Sequence, residues 1–174
     1  YEEKNDHEIY STILLKSELP LKKELGNSNN FLKPVISARF SPDNAKNISS
    51  DDLRLNYDNL FSLNRIGRTD MVEGGRSLSV GLEFENQNLS NEKIFGFRIG
   101  NVIKDKKNSK LPSKSKLDQT RSDLVGDISL NINNNLDLDY KFSYDRDLNH
   151  SNYNSLGINF EVNNFVTGFD YVAE

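Results

Sequence analysis

Residues 136–144 read Leu-Asp-Leu-Asp-Tyr-Lys-Phe-Ser-Tyr, and this stretch decides the fold class. Every even position carries an apolar or aromatic side chain, and every odd position carries a polar one. Successive side chains of a β-strand point to opposite faces. The period of two therefore predicts a strand with one apolar and one polar face.

The same alternation returns along the chain and predicts about eight antiparallel strands. They lie near residues 8–19, 31–41, 78–85, 92–103, 121–132, 136–145, 154–162 and 165–172. Most are longer than the about five or six residues of a typical globular strand, and approach the about 9–11 residues that cross a membrane. We predict an all-β, antiparallel up-and-down meander that is part of a transmembrane outer-membrane β-barrel.

Short and long connections alternate between these strands. The long ones lie near residues 42–77, 104–120 and 146–153, and the short ones are rich in Asn, which tolerates the positive φ of tight turns. Outer-membrane barrels have short periplasmic turns at one end and longer extracellular loops at the other. Residues 1–174 are therefore predicted to be one segment of a barrel domain, with the three long connections outside the cell.

In such a barrel the apolar face contacts lipid and the polar face lines the lumen. The predicted lipid-facing residues are Leu78, Val80, Leu82, Phe84, Phe95, Phe97, Leu136, Leu138, Tyr140, Phe142, Tyr144, Leu156, Ile158 and Phe160. The predicted lumen-facing residues are Glu83, Glu85, Arg98, Asp127, Asp137, Asp139, Lys141, Glu161 and Asp170. A soluble sheet with one buried face alternates in the same way, so strand length and the sorting of loop lengths favour the barrel.

The composition excludes several classes of protein. The chain has 26 acidic and 22 basic side chains and a net charge of −4, which argues against a nucleic-acid binder. It has no Cys and only two His, His7 and His150, so thiolate and His-rich metal sites are excluded. No run approaches the about 18 apolar residues of a transmembrane helix. We predict no metal, no cofactor and no enzymatic activity.

Four features of the long loops could be interpreted as functional sites, and each also has a simpler structural interpretation. His150 next to Ser151 does not make a catalytic triad, which is a spatial arrangement. Asp43, Asp51 and Asp52 do not have the spacing of a calcium loop. The glycines at 67, 74 and 75 precede a strand instead of the helix that a phosphate-binding loop requires, so they indicate turns.

A basic run is the fourth feature. It consists of Lys104, Lys106, Lys107, Lys110, Lys114 and Lys116. These cations suit the phosphates of a surface lipopolysaccharide (LPS), although a solubilising loop is the favoured interpretation.

One part of the sequence resembles a known family. The segments are 55–61 (Leu-Asn-Tyr-Asp-Asn-Leu-Phe), 65–70 (Arg-Ile-Gly-Arg-Thr-Asp) and 73–76 (Glu-Gly-Gly-Arg), running into Val80-Gly81-Leu82. Together with the upstream Leu32-Lys33-Pro34, this stretch resembles the LptD family of LPS-assembly proteins. Met71 departs from the family, many of whose members have Arg there, and the paired cysteines of some members are absent. The residues carried over from the family motif are Asp58, Asn59, Leu60, Phe61, Arg65, Gly67, Asp70, Glu73, Gly74, Gly75 and Arg76.

The resemblance implies a function that the pattern alone does not. It implies an outer-membrane translocon of a Gram-negative bacterium that assembles LPS into the outer leaflet. The implied partners are LPS, an LptE-like lipoprotein plug inside the barrel, and a periplasmic LptA-like bridge reached through a jellyroll domain absent from this chain. The chain is then an interior piece of the barrel, without the first and last strands that form the family's lateral gate.

The charges of the motif predict how its loop folds. We expect residues 58–76 to fold over or into the barrel mouth, with Arg65, Arg68 and Arg76 pairing with Asp70 and Glu73. Two other functions compete with the translocon. One is a porin-like outer-membrane channel whose acidic lumen prefers cations. The other is a soluble β-rich binding domain.

Overall fold

A computed structural model describes residues 10–42, 46–132 and 135–174 of the chain. They form one antiparallel sheet of nine strands, which confirms the predicted all-β meander. The elements are β1 (Ile13–Glu18), β2 (Leu21–Leu25), β3 (Ser28–Ser41), the helix α1 (Tyr57–Leu60), β4 (Gly75–Asn88), β5 (Lys93–Lys104), a 3-10 turn (Lys114–Lys116), β6 (Leu124–Ile132), β7 (Leu136–Tyr144), β8 (Ser151–Val162) and β9 (Phe165–Ala173). From β3 onward each strand pairs with the next strand in sequence.

The first two strands are one strand interrupted at a proline. Both pair with β3, and the pairs Glu18–Val35 and Leu21–Leu32 continue a single register. Between them, the Leu19 amide donates to the Pro34 carbonyl at 3.1 Å. Pro20 has no N–H and cannot continue the ladder. The sheet is therefore eight strands wide.

The bounds of several strands differ from the predicted ones. The first strand was expected near residues 8–19, but strand structure continues to Leu25; residues 8 and 9 lie outside the described part of the chain. The segment 21–25 shows no clean alternation, and only its pairing with β3 identifies it as a strand. β6 begins at Leu124 instead of residue 121, because the amides of Ser122 and Asp123 bond to Val102 and Ser115 outside the β5–β6 ladder.

The short connections are the expected tight turns where they are described. Gly26, Asn91 and Asn163 have φ of +51°, +62° and +54°, the left-handed conformation that Gly and Asn adopt most readily. The remaining short connection was predicted at 133–135, and its residues 133 and 134 lie outside the described residues.

The strand register separates the side chains into two faces. We call the face covered by the described residues of the connection between β3 and β4 the loop face, and the opposite one the open face. The nine residues predicted to line a lumen all share the loop face, and the fourteen predicted to contact lipid all share the open face. That these faces adjoin a lumen and a membrane stays a prediction.

Burial along β3 runs opposite to that of a soluble sheet. Its polar residues Ser37, Arg39 and Ser41 are only 1–4% exposed, whereas Ile36 and Phe40 are 46% and 47% exposed. The cause is the long connection between β3 and β4, whose described residues lie on the polar face. The apolar face of this strand is left open.

The core lies between the loops and the sheet. Its main cluster is formed by Val35, Leu55, Tyr57, Leu60, Phe61, Val102, Leu117 and Val125. A second cluster, formed by Ile48, Ile66, Met71 and Leu111, joins the two longest loops. Val125 was an exception in the predicted alternation, and the structure explains it, because this side chain lies on the loop face beneath the loops. Among the described residues no helix has the length and apolarity needed to cross a membrane.

Candidate functional site

The candidate site is the region where the long loop between β3 and β4 packs against the loop face of the sheet. We call this region the loop seat. Asn56 and Asn59 cap the one-turn helix α1 reciprocally, each side chain accepting from the other's backbone amide at 2.9 Å. This capping box fixes the chain where the Leu60-Phe61 pair of the motif leaves the helix. Both of these side chains are buried against the loop face.

Two glycines on neighbouring strands make room for this pair. Gly81 of β4 lies directly opposite Gly100 of β5. A Cβ atom at Gly81 would lie 2.8 Å from Phe61 Cζ, and one at Gly100 would collide with Leu60 and lie 2.6 Å from the Val80 carbonyl. The absence of side chains therefore lets the Leu-Phe pair rest on the strand backbones. We call this pair of glycines the glycine shelf.

A buried cluster of charges ties the loop to three strands. The Glu73 carboxylate lies 2.9 Å from Arg65, 2.7 Å from Lys104 Nζ and 4.0 Å from Arg39. Every one of these side chains is at most 6% exposed. Arg65 also donates to the hydroxyls of Ser77 and Ser79, at 2.8 Å and 3.0 Å. We call Glu73, Arg39, Arg65 and Lys104 the Glu73 cluster.

The electrostatics of this cluster favour an ionised carboxylate. Burial alone would raise the pKa of Glu73, but Arg65, Lys104 and Arg39 together outweigh it and leave the pKa below its usual value. One carboxylate thus holds three cations, one from the loop and two from β3 and β5. Breaking such a buried arrangement leaves uncompensated charge, so the cluster fixes the loop firmly in place.

A second network connects the helix to the middle of the sheet. Arg98 donates to Asp127 at 2.9 Å and to Asp58 at 2.7 Å, and its guanidinium lies 4.9 Å from the Tyr57 ring centre. The Tyr57 hydroxyl donates to Glu83 at 3.2 Å. Burial, and then the nearby Glu83 carboxylate, raise the pKa of Tyr57, so this phenol keeps its proton and remains a donor. The structure thus gathers Glu83, Arg98 and Asp127 beneath the loop.

Other ion pairs hold the surface of the loop. Arg68 bonds to Asp70 at 2.8 Å and also to Asp51, in a partly exposed group. Lys114 of the second long loop lies 2.6 Å from Asp52 and 3.1 Å from Glu174. Arg54 lies 2.7 Å from Glu174. These contacts join the two longest loops to the end of β9.

The comparison with known families decides the identity of the chain. A family model described as LptD, LPS transport system D, matches residues 3–173. The chain belongs to the LptD family. A search of the curated proteins finds no match. Family membership supports a role in LPS transport, and LptD is a transport and assembly family.

Most residues of the LptD motif lie in the loop seat. Asp58 meets Arg98, Asn59 caps the helix, Leu60 and Phe61 lie on the glycine shelf, and Arg65 meets Glu73. The remaining acid of the motif, Asp70, lies in the exposed group with Arg68. Gly67 has a φ of +70°, and Gly75, which follows Gly74 and begins β4, has a φ of +96°.

Arg76 is the exception, and the prediction that it pairs with an acidic residue of the loop is wrong. Arg76 is the second residue of β4, so strand alternation turns its side chain to the open face, away from Glu73. Its guanidinium lies 5.9 Å from the ring centre of Phe40, the residue directly opposite on β3.

The other predicted lumen residues lie elsewhere on the loop face. Asp137, Asp139, Glu161 and Asp170 are exposed on β7–β9, and the structure does not bring them to the loop seat. Lys141 is also exposed, but it lines a pocket together with Tyr57 and Asp58 of the loop. Lys141 lies opposite Asp127 in the register, and Glu85 accepts a hydrogen bond from Gln87 at 2.5 Å.

The polar features of the long loops have simple structural roles. The His150 ring lies 3.3 Å from Asp145 in an exposed loop. Asp51 and Asp52 pair with Arg68 and Lys114, and Asp43 lies outside the described residues. The lysines of the basic run do not form one cationic surface. Lys104 is buried in the Glu73 cluster, and Lys114 forms an ion pair with Asp52.

Sequence reasoning missed two groups that complete the site. Arg39 and Lys104 lie on the polar side of the alternation in β3 and β5, but the sequence did not show that a loop acid would reach them. Leu55, Val102 and Leu117 form the apolar part of the seat. An available signal was Val102, an apolar residue in the polar phase of β5.

Proposed function

We propose that this chain is a stretch of the wall of an LPS-transporting barrel in the outer membrane of a Gram-negative bacterium. The barrel assembles LPS into the outer leaflet, and no bond of the lipid is made or broken. The connection 42–74 closes the lumen at the cell-surface end. The observation that carries this proposal is the inverted burial of β3, with Arg39 and Ser41 covered and Ile36 and Phe40 open.

The open face has the chemistry of a surface in hydrocarbon. Large apolar side chains are exposed on it from one side of the sheet to the other: Ile13, Leu15, Ile36, Phe40, Leu78, Phe160, Phe169 and Tyr171 are each 37% or more exposed. A soluble monomer rarely exposes so much contiguous apolar surface, whereas a lipid bilayer requires it. This argument favours the barrel over a soluble β-rich domain.

The loop face suits a closed, hydrated lumen. The Glu73 cluster and the glycine shelf hold the loop against β3, β4 and β5 near the ends that bear the long connections. A loop fixed in this way keeps the mouth closed to solutes while the lipid leaves by another route. The exposed acids of β7–β9 repel the phosphates of LPS, so the cargo does not adhere to the wall.

Family membership supports a proposal for the partners. We infer that an LptE-like lipoprotein occupies the barrel interior and that an LptA-like periplasmic bridge delivers LPS from the inner membrane. On β7 and β9, to the side of the Glu73 cluster, Asp137, Asp139 and Asp170 are exposed on the loop face, and this part of the face is open to such a plug.

The test is depletion of the full-length parent protein. We expect LPS at the cell surface to fall and the lipid to accumulate behind the outer membrane, because the translocon is the last step of delivery. Unchanged surface LPS after complete depletion would refute the transport function.

A porin-like channel is the second candidate, and the exposed acids of the loop face favour it. Asp137, Asp139, Glu161 and Asp170 form a cation-attracting wall. Conductance of the full-length protein in planar bilayers distinguishes the two functions. A steady, cation-selective conductance supports the channel, whereas a barrel closed by its loop shows little.

A further inference from the structure

The open face contains a groove at the end of the sheet that bears the long loops. Its cavity has a volume of about 720 Å³, within the usual range for ligand sites. Side chains of four strands line it: Ile13, Leu15, Ala38, Phe40, Leu78 and Ile103, with Arg76 at the rim. We call this cavity the outer groove.

The register explains why the surface is concave here. Leu15, Ala38, Leu78 and Ile103 are neighbours in one row across β1, β3, β4 and β5. Ala38 contributes only a methyl group between larger side chains, so the centre of the row is low. Four strands at about 4.8 Å spacing make the row about 14 Å wide, and its low part at Ala38 lies between Leu15 and Leu78.

The rim on the loop side of the groove carries charge. In the next row Phe40 lies opposite Arg76, whose guanidinium is 5.9 Å from the Phe40 ring centre. Asp105 also lines the groove and partly offsets this cation. Lys106 and Lys107 follow Asp105 directly in the sequence and are exposed.

We propose that the outer groove binds the phosphorylated, multiply acylated lipid end of LPS on the outside of the barrel wall. The chains lie on the Ala38 floor, and a phosphate meets Arg76 at the rim. This assignment rests on the proposed function, which places the long loops at the cell surface and hence the groove in the outer leaflet. The width of the row and a cation at its edge match a lipid with several chains and a phosphate.

The experiment uses the full-length protein with its lipoprotein partner, in nanodiscs of phosphatidylethanolamine with a small fraction of LPS. A photoreactive residue replaces Ile103 at the groove, or Phe160 on the same face at the opposite end of the sheet. Lipid that merely surrounds the barrel crosslinks at both positions in proportion to its abundance. A binding site enriches LPS at position 103, and we expect this enrichment.

Two variants and a matched control make the test specific. Arg76→Gln removes the rim cation, and we expect the enrichment at position 103 to fall about tenfold, the usual effect of losing a charge-assisted bond. Ala38→Phe fills the floor and leaves Arg76 in place, and we expect a similar fall. Lys23→Gln removes an exposed cation of β2 on the same face but at the far end, and should change nothing.

Three results would overturn the inference: equal crosslinking at positions 103 and 160, enrichment that Arg76→Gln and Ala38→Phe leave intact, or equal enrichment of phosphatidylglycerol when it replaces LPS. The last result indicates a general site for anionic lipids. If depletion still abolishes surface LPS while any of these results is obtained, the groove assignment fails and the transport function stands.

Discussion

At the scale of single residues, Glu73 is the carboxylate on which the loop seat depends. It lies within ion-pair distance of Arg39, Arg65 and Lys104, and all four side chains are buried. The three buried cations repel one another, and the shared carboxylate offsets this repulsion. A change at this position therefore acts on β3, β5 and the loop together.

The first prediction is that Glu73→Gln destabilises the seat by about 3–5 kcal/mol, the usual cost of leaving buried charges unpaired. The measurement is urea unfolding of the full-length protein, together with proteolysis of the loop. Asp70→Asn is the matched control, because Asp70 and its partner Arg68 are 45% and 38% exposed. It should cost far less than Glu73→Gln, because ion pairs between exposed side chains contribute little to stability. Equal effects of the two variants would contradict the role of the cluster.

The second prediction concerns pH. The folded pKa of Glu73 lies below its ordinary value of 4.5, so its contribution to stability is complete above that value and is lost as the pH falls through the folded pKa. We expect the loop to become protease-accessible in acid and to show no such change between neutral and mildly alkaline pH. In Glu73→Gln this acid-dependent step should be absent. A step of the same size in the variant would assign it to other carboxylates.

At the scale of elements, the contact between α1 and the glycine shelf positions the loop. Leu60 and Phe61 rest on the backbones of β4 and β5 only because Gly81 and Gly100 have no side chains. Gly weakens the interior of a strand, and here the close packing of the loop offsets this loss of stability.

The third prediction is that Gly81→Ala and Gly100→Ala each cost about 1–3 kcal/mol through overpacking. Phe61→Leu should partly rescue Gly81→Ala, because the nearest clash there is with the Phe61 ring. Leu60→Ala should not rescue Gly100→Ala, since the Val80 carbonyl remains 2.6 Å from the new Cβ. Thermal unfolding of the full-length protein measures both.

The control for these variants is Gly157→Ala on the same face of β8. Its Cβ would lie 3.3 Å from the flexible Asp170 side chain and 3.9 Å from the Asp139 carbonyl. We expect almost no loss of stability. A loss equal to that of Gly81→Ala would show that the shelf variants act through strand propensity and not through the loop.

At the scale of the whole molecule, the sheet is open. Its order runs from β1 and β2 at one edge to β9 at the other, and in the described residues these edge strands do not pair with each other. Unpaired backbone groups are intolerable in hydrocarbon. Within a larger barrel the neighbouring strands satisfy both edges.

The fourth prediction is that the 174-residue chain alone does not insert as a stable closed barrel. Refolded into liposomes, it should give no heat-modifiable band on a gel and no protection of the strands from protease. The full-length parent, treated in the same way, should give both. A discrete, protected band from the short chain would show that eight strands of this sequence close on themselves.

The sequence by itself determined most of the strands, their two faces and the tight turns. The reason is that these features depend on neighbours in sequence: the period of two in 136–144 sorts side chains between faces, and Asn163 accepts positive φ without help from the rest of the fold. The motif residues of the loop were found through family resemblance, which marks positions but does not give their partners.

Only the tertiary structure decided where the loop lies and which charges meet. The continuation of the first strand beyond Pro20, the burial of Val125, the turn of Arg76 to the open face and the meeting of Glu73 with Arg39 and Lys104 all depend on residues distant in sequence. Burial and ion pairing depend on which segments come together in space, and the pattern of residues within one segment does not indicate which distant segment will pack against it.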